Sequence, residues 1–252
     1  MAGNSARPGV TVASRVLALL GTFDGRHRRL SLTELAARAG LPLATAHRLV
    51  GELEAWGAFS REPSGSYVVG HRMWDIGLLA PVRTGLRELA SPFLHDLYGA
   101  TLATVHLAVR DRNKVLYLDR LAGHASVPVV SRAGTRLPLH ATGVGKVLLA
   151  YAPESAQGDV LRHLTRITPH TVVQPGVLNA QLARVRRDGY ATTVEEMTLG
   201  ACSVAVPIFG ADGVVGALGI VVPSVKRDRV RLVAALQVAS RGITRTLGSV
   251  DL

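Results

Sequence analysis

Thr45, His47 and Arg48 place a hydroxyl, an imidazole and a guanidinium within four consecutive positions. Such groups donate to phosphate oxygens and base edges. A helix that carries them near its N-terminal end is the kind that enters a DNA major groove. Ala46, Leu49, Val50 and Leu53 recur at helical spacing in the same segment, so the polar groups stand opposite an apolar stripe. Arg48 is read as a phosphate or base contact in preference to a solvated helix residue. Thr45 and His47 fit either role. Arg26, Arg28 and Arg29 form either a solvated loop or a further phosphate contact.

Other residues able to do chemistry point less clearly to a reaction. Glu195 and Glu196 could act as an acid/base pair, but a solvated strand end explains them as well. Gly145 and Lys146 look like the end of a phosphate-binding loop. The earlier glycine of that motif is His140 here, and Val147 stands where Ser or Thr is needed. The nine histidines lack metal-ligand spacing, and no serine sits in a nucleophile elbow. Cys202 is the sole cysteine, so a disulfide or a cysteine metal cage cannot be built. It is read as a packing residue. The expectation is a protein that is not an enzyme and has no cofactor, metal or catalytic residues.

The elements that would position Arg48 follow one another in about sixty residues. Val12, Val16, Leu19, Leu20 and Phe23 mark a first helix. Ser31 and Glu34 have capping-box spacing at the start of a second helix, 32–39. Gly40 ends it, Pro42 opens the next, and Gly57 closes a third helix over 43–56. Two short strands, 58–61 and 66–69, flank the turn residues 62–65. This order predicts a winged helix-turn-helix domain over 8–70, with the helix-turn-helix at 31–56 and the wing at 58–69. The expected DNA-contacting set is Thr33, Ala44, Thr45, His47, Arg48 and Ser64.

A linker helix is expected over 71–84, then a second domain over 85–252. A longer amphipathic helix, through Val82, Leu86, Leu89 and Phe93, should bend at Pro92. Strands are read at 103–110, 114–120, 127–131, 190–194, 203–209 and 214–222. A loop after His140 meets a helix N-terminus, whose free amides suit an anion or a carbonyl. Helices through Leu178, Leu182 and Val185 and over 230–247 complete an α+β fold with an antiparallel sheet.

Hydrophobic residues make up 48% of the 252, enough for a sizeable core. The net charge of +11 suits a polyanionic partner. Its distribution is less telling: residues 1–70 hold eight Lys/Arg and five Asp/Glu, net +3, which leaves +8 for the remainder. Of the 29 basic residues only Lys114, Lys146 and Lys226 are lysines. The N-terminus has no signal pattern and no apolar run spans a bilayer. A soluble, cytoplasmic protein without a membrane partner is expected.

The stretches SLTELAARAGLPLATAHRLVGELEAWG, LPLHATGVGKVLLA, RRDGYATTVEEMTLGACSVAVPIF and VGALGIVVP give the chain a further identity. In that order, and over nearly the whole length, it resembles the IclR family of bacterial transcriptional regulators. The resemblance implies an N-terminal winged helix-turn-helix and a C-terminal GAF-like effector-binding domain. It implies homodimers, paired as dimers of dimers, on palindromic operator DNA of a metabolic operon. Repression is the expected sign. It also implies an effector cleft around Val129, Leu137, Gly143, Val144, Thr193, Ala201, Ser203, Gly219 and Val221. Members that bind small oxo-acids carry an acid, a cysteine and serines there; here Thr193, Ser203, Gly219 and Val221 replace them. A larger and less polar effector than glyoxylate or pyruvate is expected, such as an aromatic or otherwise weakly polar acid.

Overall fold

The computed structural model describes residues 11–78, 84–123 and 126–249. Residues 8–10 of the expected first domain, Leu79 of the linker and Val82 of the following helix lie outside the described residues. The chain divides into two compact units, Met1–Val82 and Arg83–Leu252.

In the first unit, Ser31 caps α2 (Leu32–Ala39). Its Oγ accepts from the Glu34 amide at 3.3 Å, and the Glu34 carboxylate accepts from the Ser31 amide at 2.8 Å. Gly40 then turns the chain in the left-handed region at φ 65°, which a side chain would strain. α3 (Leu43–Trp56) buries Ala46, Leu49, Val50 and Leu53 in a core shared with Leu35 and with Leu19 of α1 (Val12–Leu20). α1 stops short of Phe23, because Thr22 Oγ1 turns back onto the Leu19 carbonyl at 2.7 Å. Phe23 packs edge-on to Phe59 instead, with ring centroids 5.1 Å apart. β1 (Phe59–Arg61) and β2 (Tyr67–Val69) pair antiparallel with Ser60 opposite Val68. Helices followed by this hairpin form the winged helix-turn-helix. α4 (His71–Leu78) follows, with Arg72 stacked over Trp56 at 4.4 Å.

The second unit is built on six strands: β3 (Thr104–Asp111), β4 (Lys114–Leu121), β5 (Arg136–Pro138), β6 (Ala191–Val194), β7 (Cys202–Gly210) and β8 (Gly213–Val222). They pair antiparallel in the order β5-β4-β3-β8-β7-β6. Leu94 of α5 (Thr84–Thr101), which runs on through Pro92, and Leu236 of α9 (Arg229–Gly248) share a core with Leu107 and Ile208 on one face. Leu149 of α6 (Gly143–Ala150), Val160 of α7 (Glu154–Arg162) and Leu182 of α8 (Pro175–Asp188) share the other core with Ala108 and Ala205. The result is the expected mixed α+β fold.

Residues 127–131 are irregular rather than a strand. Pro128 has no N–H to offer a ladder, and the edge of β4 is taken by β5, with Lys114 opposite Pro138. The backbone joins β4 only further on, where the Gly134 amide donates to the Tyr117 carbonyl at 2.8 Å. Neither β5 nor α7 was foreseen by periodicity.

A second correction concerns Glu195 and Glu196, for which an acid/base pair and a solvated strand end were both open readings. Glu196 is buried and accepts from Lys146 Nζ at 2.5 Å, the lysine side chain being 1% exposed. Burial pushes the Lys146 amine below its ordinary range, and the carboxylate opposes that. The hydroxyls of Thr168 and Thr171 donate to the Glu195 and Glu196 carbonyls, each at 2.7 Å. Glu195 Oε1 accepts from the Gly200 amide at 2.7 Å. The loop between β6 and β7 is therefore fastened at several points.

Two stability predictions follow from these contacts. Ser31→Ala should cost about 1 kcal/mol through loss of the cap, read as a lowered denaturant midpoint. Glu196→Ala should cost on the order of 3–5 kcal/mol, because it strands a buried ammonium. A calorimetric unfolding temperature equal to that of the parent would refute the role given to the pair.

Candidate functional site

On the first unit, Thr33, Ala44, His47, Arg48 and Ser64 are exposed, and Thr45 is half-buried. Ala44, Thr45, His47 and Arg48 occupy the first turns of α3, Thr33 the first turn of α2, and Ser64 the turn of the wing. The N-cap of α3 is Pro42, which gives no side-chain cap, and no acid stands in the first turn. The first amides and the positive end of the helix dipole are thus left open to an anion. Arg48 Nη1 donates to Glu52 Oε1 at 2.7 Å, both side chains being 60% exposed. An exposed pair of this kind contributes at most about 1 kcal/mol, so Arg48 can exchange Glu52 for a phosphate. Arg29, also exposed, donates from Nε to both Glu62 carboxylate oxygens at 3.0 and 2.8 Å. It ties the loop before α2 to the wing.

In the second unit, all nine sequence-expected effector positions line one cavity: Val129, Leu137, Gly143, Val144, Thr193, Ala201, Ser203, Gly219 and Val221. Its empty space, counting the open mouth, is about 480 Å³. The roof is the first turn of α6. Thr142 caps that helix, its Oγ1 accepting from the Gly145 amide at 3.1 Å. The Gly143 and Val144 amides have no intrahelical acceptor. The roof sits close to the sheet. A Cβ on Gly143 would come within 2.4 Å of Ser203 Oγ, and one on Gly219 within 2.7 Å of Val144 Cγ1. Thr193 Oγ1 and Ser203 Oγ lie 2.6 Å apart beneath the roof.

Among the described residues no Asp, Glu, Lys or Arg lines the cavity. Its polar groups are hydroxyls, amides and one imidazole. That imidazole, His106, was not singled out by the sequence reading, nor were Tyr117 and Ser131, which also line the cavity. His106 Nε2 and Ser131 Oγ are 2.7 Å apart and both residues are buried. Burial, with help from the nearby Arg120 charge, pushes His106 down to about 3, so the ring is neutral at ordinary pH. Tyr117 stacks edge-on against it at 4.9 Å, and burial pushes the phenol pKa up. The signal for His106 was its alternation with Thr104 and Ala108 on β3, which puts all three on one face. Cys202 lies at the cavity edge, its Sγ 3.5 Å from the Pro223 carbonyl. Among the described residues there is no cluster of three potential metal ligands, and no helix is long and apolar enough to cross a membrane.

A cavity that offers hydrogen bonds without charge suits reversible capture of a small molecule. The uncapped N-terminus of α3, with Arg48 in its first turns, suits a polyanion. Known proteins with these features show the same pairing. Residues 12–63 match the IclR helix-turn-helix domain, and residues 80–245 match the bacterial transcriptional regulator IclR C-terminal domain. The HTH-type transcriptional regulator XynR of Escherichia coli strain K12 is 30% identical, over 96% of this chain and 98% of that protein. The glycerol operon regulatory protein of Streptomyces coelicolor is 31% identical, over 93% and 95%. The crystal structure of an IclR homolog complexed with 4-hydroxybenzoate, from Microbacterium hydrocarbonoxydans, superposes with a TM-score of 0.90 at 32% identity, over 95% of this chain and all of that one. The chain belongs to the IclR family of bacterial transcriptional regulators.

Proposed function

We propose that this regulator is a cytoplasmic repressor whose operator affinity is set by an aromatic or otherwise weakly polar carboxylic acid. The observation that carries the effector class is the cavity under α6, where open amides face apolar walls with no charged side chain among the described residues. Amides at a helix N-terminus and the hydroxyls of Thr193 and Ser203 take the carboxylate. Val129, Leu137, Ala201 and Val221 take the hydrophobic body. The 4-hydroxybenzoate bound by the Microbacterium homolog is consistent with an acid of this class.

The DNA partner is a palindromic operator read by a homodimer, itself paired as a dimer of dimers. Thr33, Ala44, Thr45, His47, Arg48 and Ser64 make the contacts. The protein acts by binding and not by turnover: Glu196 is committed to Lys146, and Glu195 to the Gly200 amide. An effector preferring one conformational state shifts the population between operator-competent and operator-incompetent forms.

Two measurements test this reading. In gel shifts with DNA from beside its own gene, 4-hydroxybenzoate or a related aromatic acid should change operator affinity, while glyoxylate and pyruvate should not. Tight binding of the small oxo-acids alone would overturn the effector class. Arg48→Ala should weaken operator binding about tenfold and lower the slope of log affinity against log salt by about 0.9, one phosphate contact's share. Unchanged affinity and slope would remove Arg48 from the interface.

A further inference from the structure

The cavity has two polar ends. One is the roof, with the Gly143 and Val144 amides and the Thr193–Ser203 hydroxyl pair. The other is the buried His106–Ser131 pair. Strand register gives their separation. His106 lies opposite Gly219, and Gly219 lies opposite Ala205. Ser203 is two residues along β7 from Ala205. With strands about 4.8 Å apart and a rise of about 3.4 Å per residue, the His106 and Ser203 Cα atoms stand about 12 Å apart on one face of the sheet.

A benzene ring with a carboxylate and a para hydroxyl measures about 7 Å between its outer oxygens. With a hydrogen bond of about 2.8 Å at each end it spans about 12–13 Å between partner atoms, comparable with the Cα separation because both side chains rise from the same face of the sheet. The meta isomer is shorter, and the unsubstituted acid has nothing to place at the far end.

The His106–Ser131 pair can meet a hydroxyl in either sense. If the Ser131 hydroxyl donates to Nε2, its oxygen accepts the ligand's proton. If Nε2–H donates to Ser131, the serine hydroxyl donates to the ligand. Across from His106 stands Arg120, whose buried Nε lacks a partner among the described residues and whose charge disfavours protonation of the ring.

We propose that His106 and Ser131 are the specificity-determining end of the cavity, selecting aromatic acids that carry a hydroxyl para to the carboxylate. This rests on the aromatic-acid reading given above. Val129, Leu137 and Val221 hold the ring between the two ends, and Ser131 brings the irregular segment after residue 126 over it.

Isothermal titration calorimetry of the full chain with 4-hydroxybenzoate, 3-hydroxybenzoate and benzoate tests the assignment. The parent should bind the para-hydroxy acid about tenfold more tightly than benzoate, the worth of one buried hydrogen bond. Ser131→Ala should bring that ratio to within about threefold of unity by weakening 4-hydroxybenzoate alone. His106→Gln should act in the same direction, and a melting curve shows whether it folds; Ser131→Ala decides the matter if it does not. A parent ratio near one overturns the proposal, and so does a ratio that survives Ser131→Ala. Equal weakening of all three acids by Ser131→Ala also overturns it, since that is the mark of a serine that only fastens the segment. In each of these cases benzoate still binds and the aromatic-acid reading stands. If none of the three acids binds, both fall together.

Discussion

How closely α6 can approach the sheet governs most of the second unit. The helix is buried along its whole length, and its first turn meets β7 and β8 where Gly143 and Gly219 leave no room for a Cβ. That close packing brings the first turn of the helix down onto the Thr193–Ser203 hydroxyls and so groups uncharged polar atoms at the cavity roof. It also carries Lys146 under the loop between β6 and β7, where Glu196 meets it. The loop in turn supplies Met197, Thr198 and Ala201 to the cavity wall. A larger residue at Gly143 or Gly219 would raise the roof and pull at the ion pair together.

The first unit depends on a different economy of contacts. Its core is small, and α2 and α3 owe their relation to a capped start, a left-handed glycine and four buried side chains on α3. The polar side of α3 is left lightly tethered. Glu52 holds Arg48 in an exposed pair, which fixes the guanidinium near the helix at little energetic cost when it leaves. Arg29 is held by both oxygens of Glu62, which suits a role in fixing the wing.

Local signals were legible where the physics is local. The capping box at Ser31 and Glu34, the Gly40 stop and the stripe through Leu49 and Leu53 each lie within one or two turns, and each is found in place. The positions that the family resemblance assigns to an effector converge on one cavity because the strand register aligns Thr193, Ser203 and Val221 in a row. Pairings of distant residues were not legible. Lys146 and Glu196 are fifty residues apart, and His106 and Ser131 twenty-five; nothing in periodicity links such groups. Glu196 was misread for this reason, since a polar dipeptide after a strand looks solvated until its buried partner is known. The strand expected at 127–131 failed because Pro128 breaks the ladder and Ser131 finds a side-chain partner instead.

The burial of the Lys146–Glu196 pair has a consequence for how the protein meets changing ionic conditions. Mobile ions screen exposed charges over about 10 Å at 0.1 M salt but scarcely reach a pair sealed from solvent. Contacts to a DNA backbone are the opposite case, because each one releases condensed counterions and weakens as salt rises. Osmotic or ionic stress will therefore loosen the grip on DNA while the loop over the cavity keeps its latch. A bacterial cell whose internal salt fluctuates would find the sensor's selectivity steady even as the strength of its output drifts.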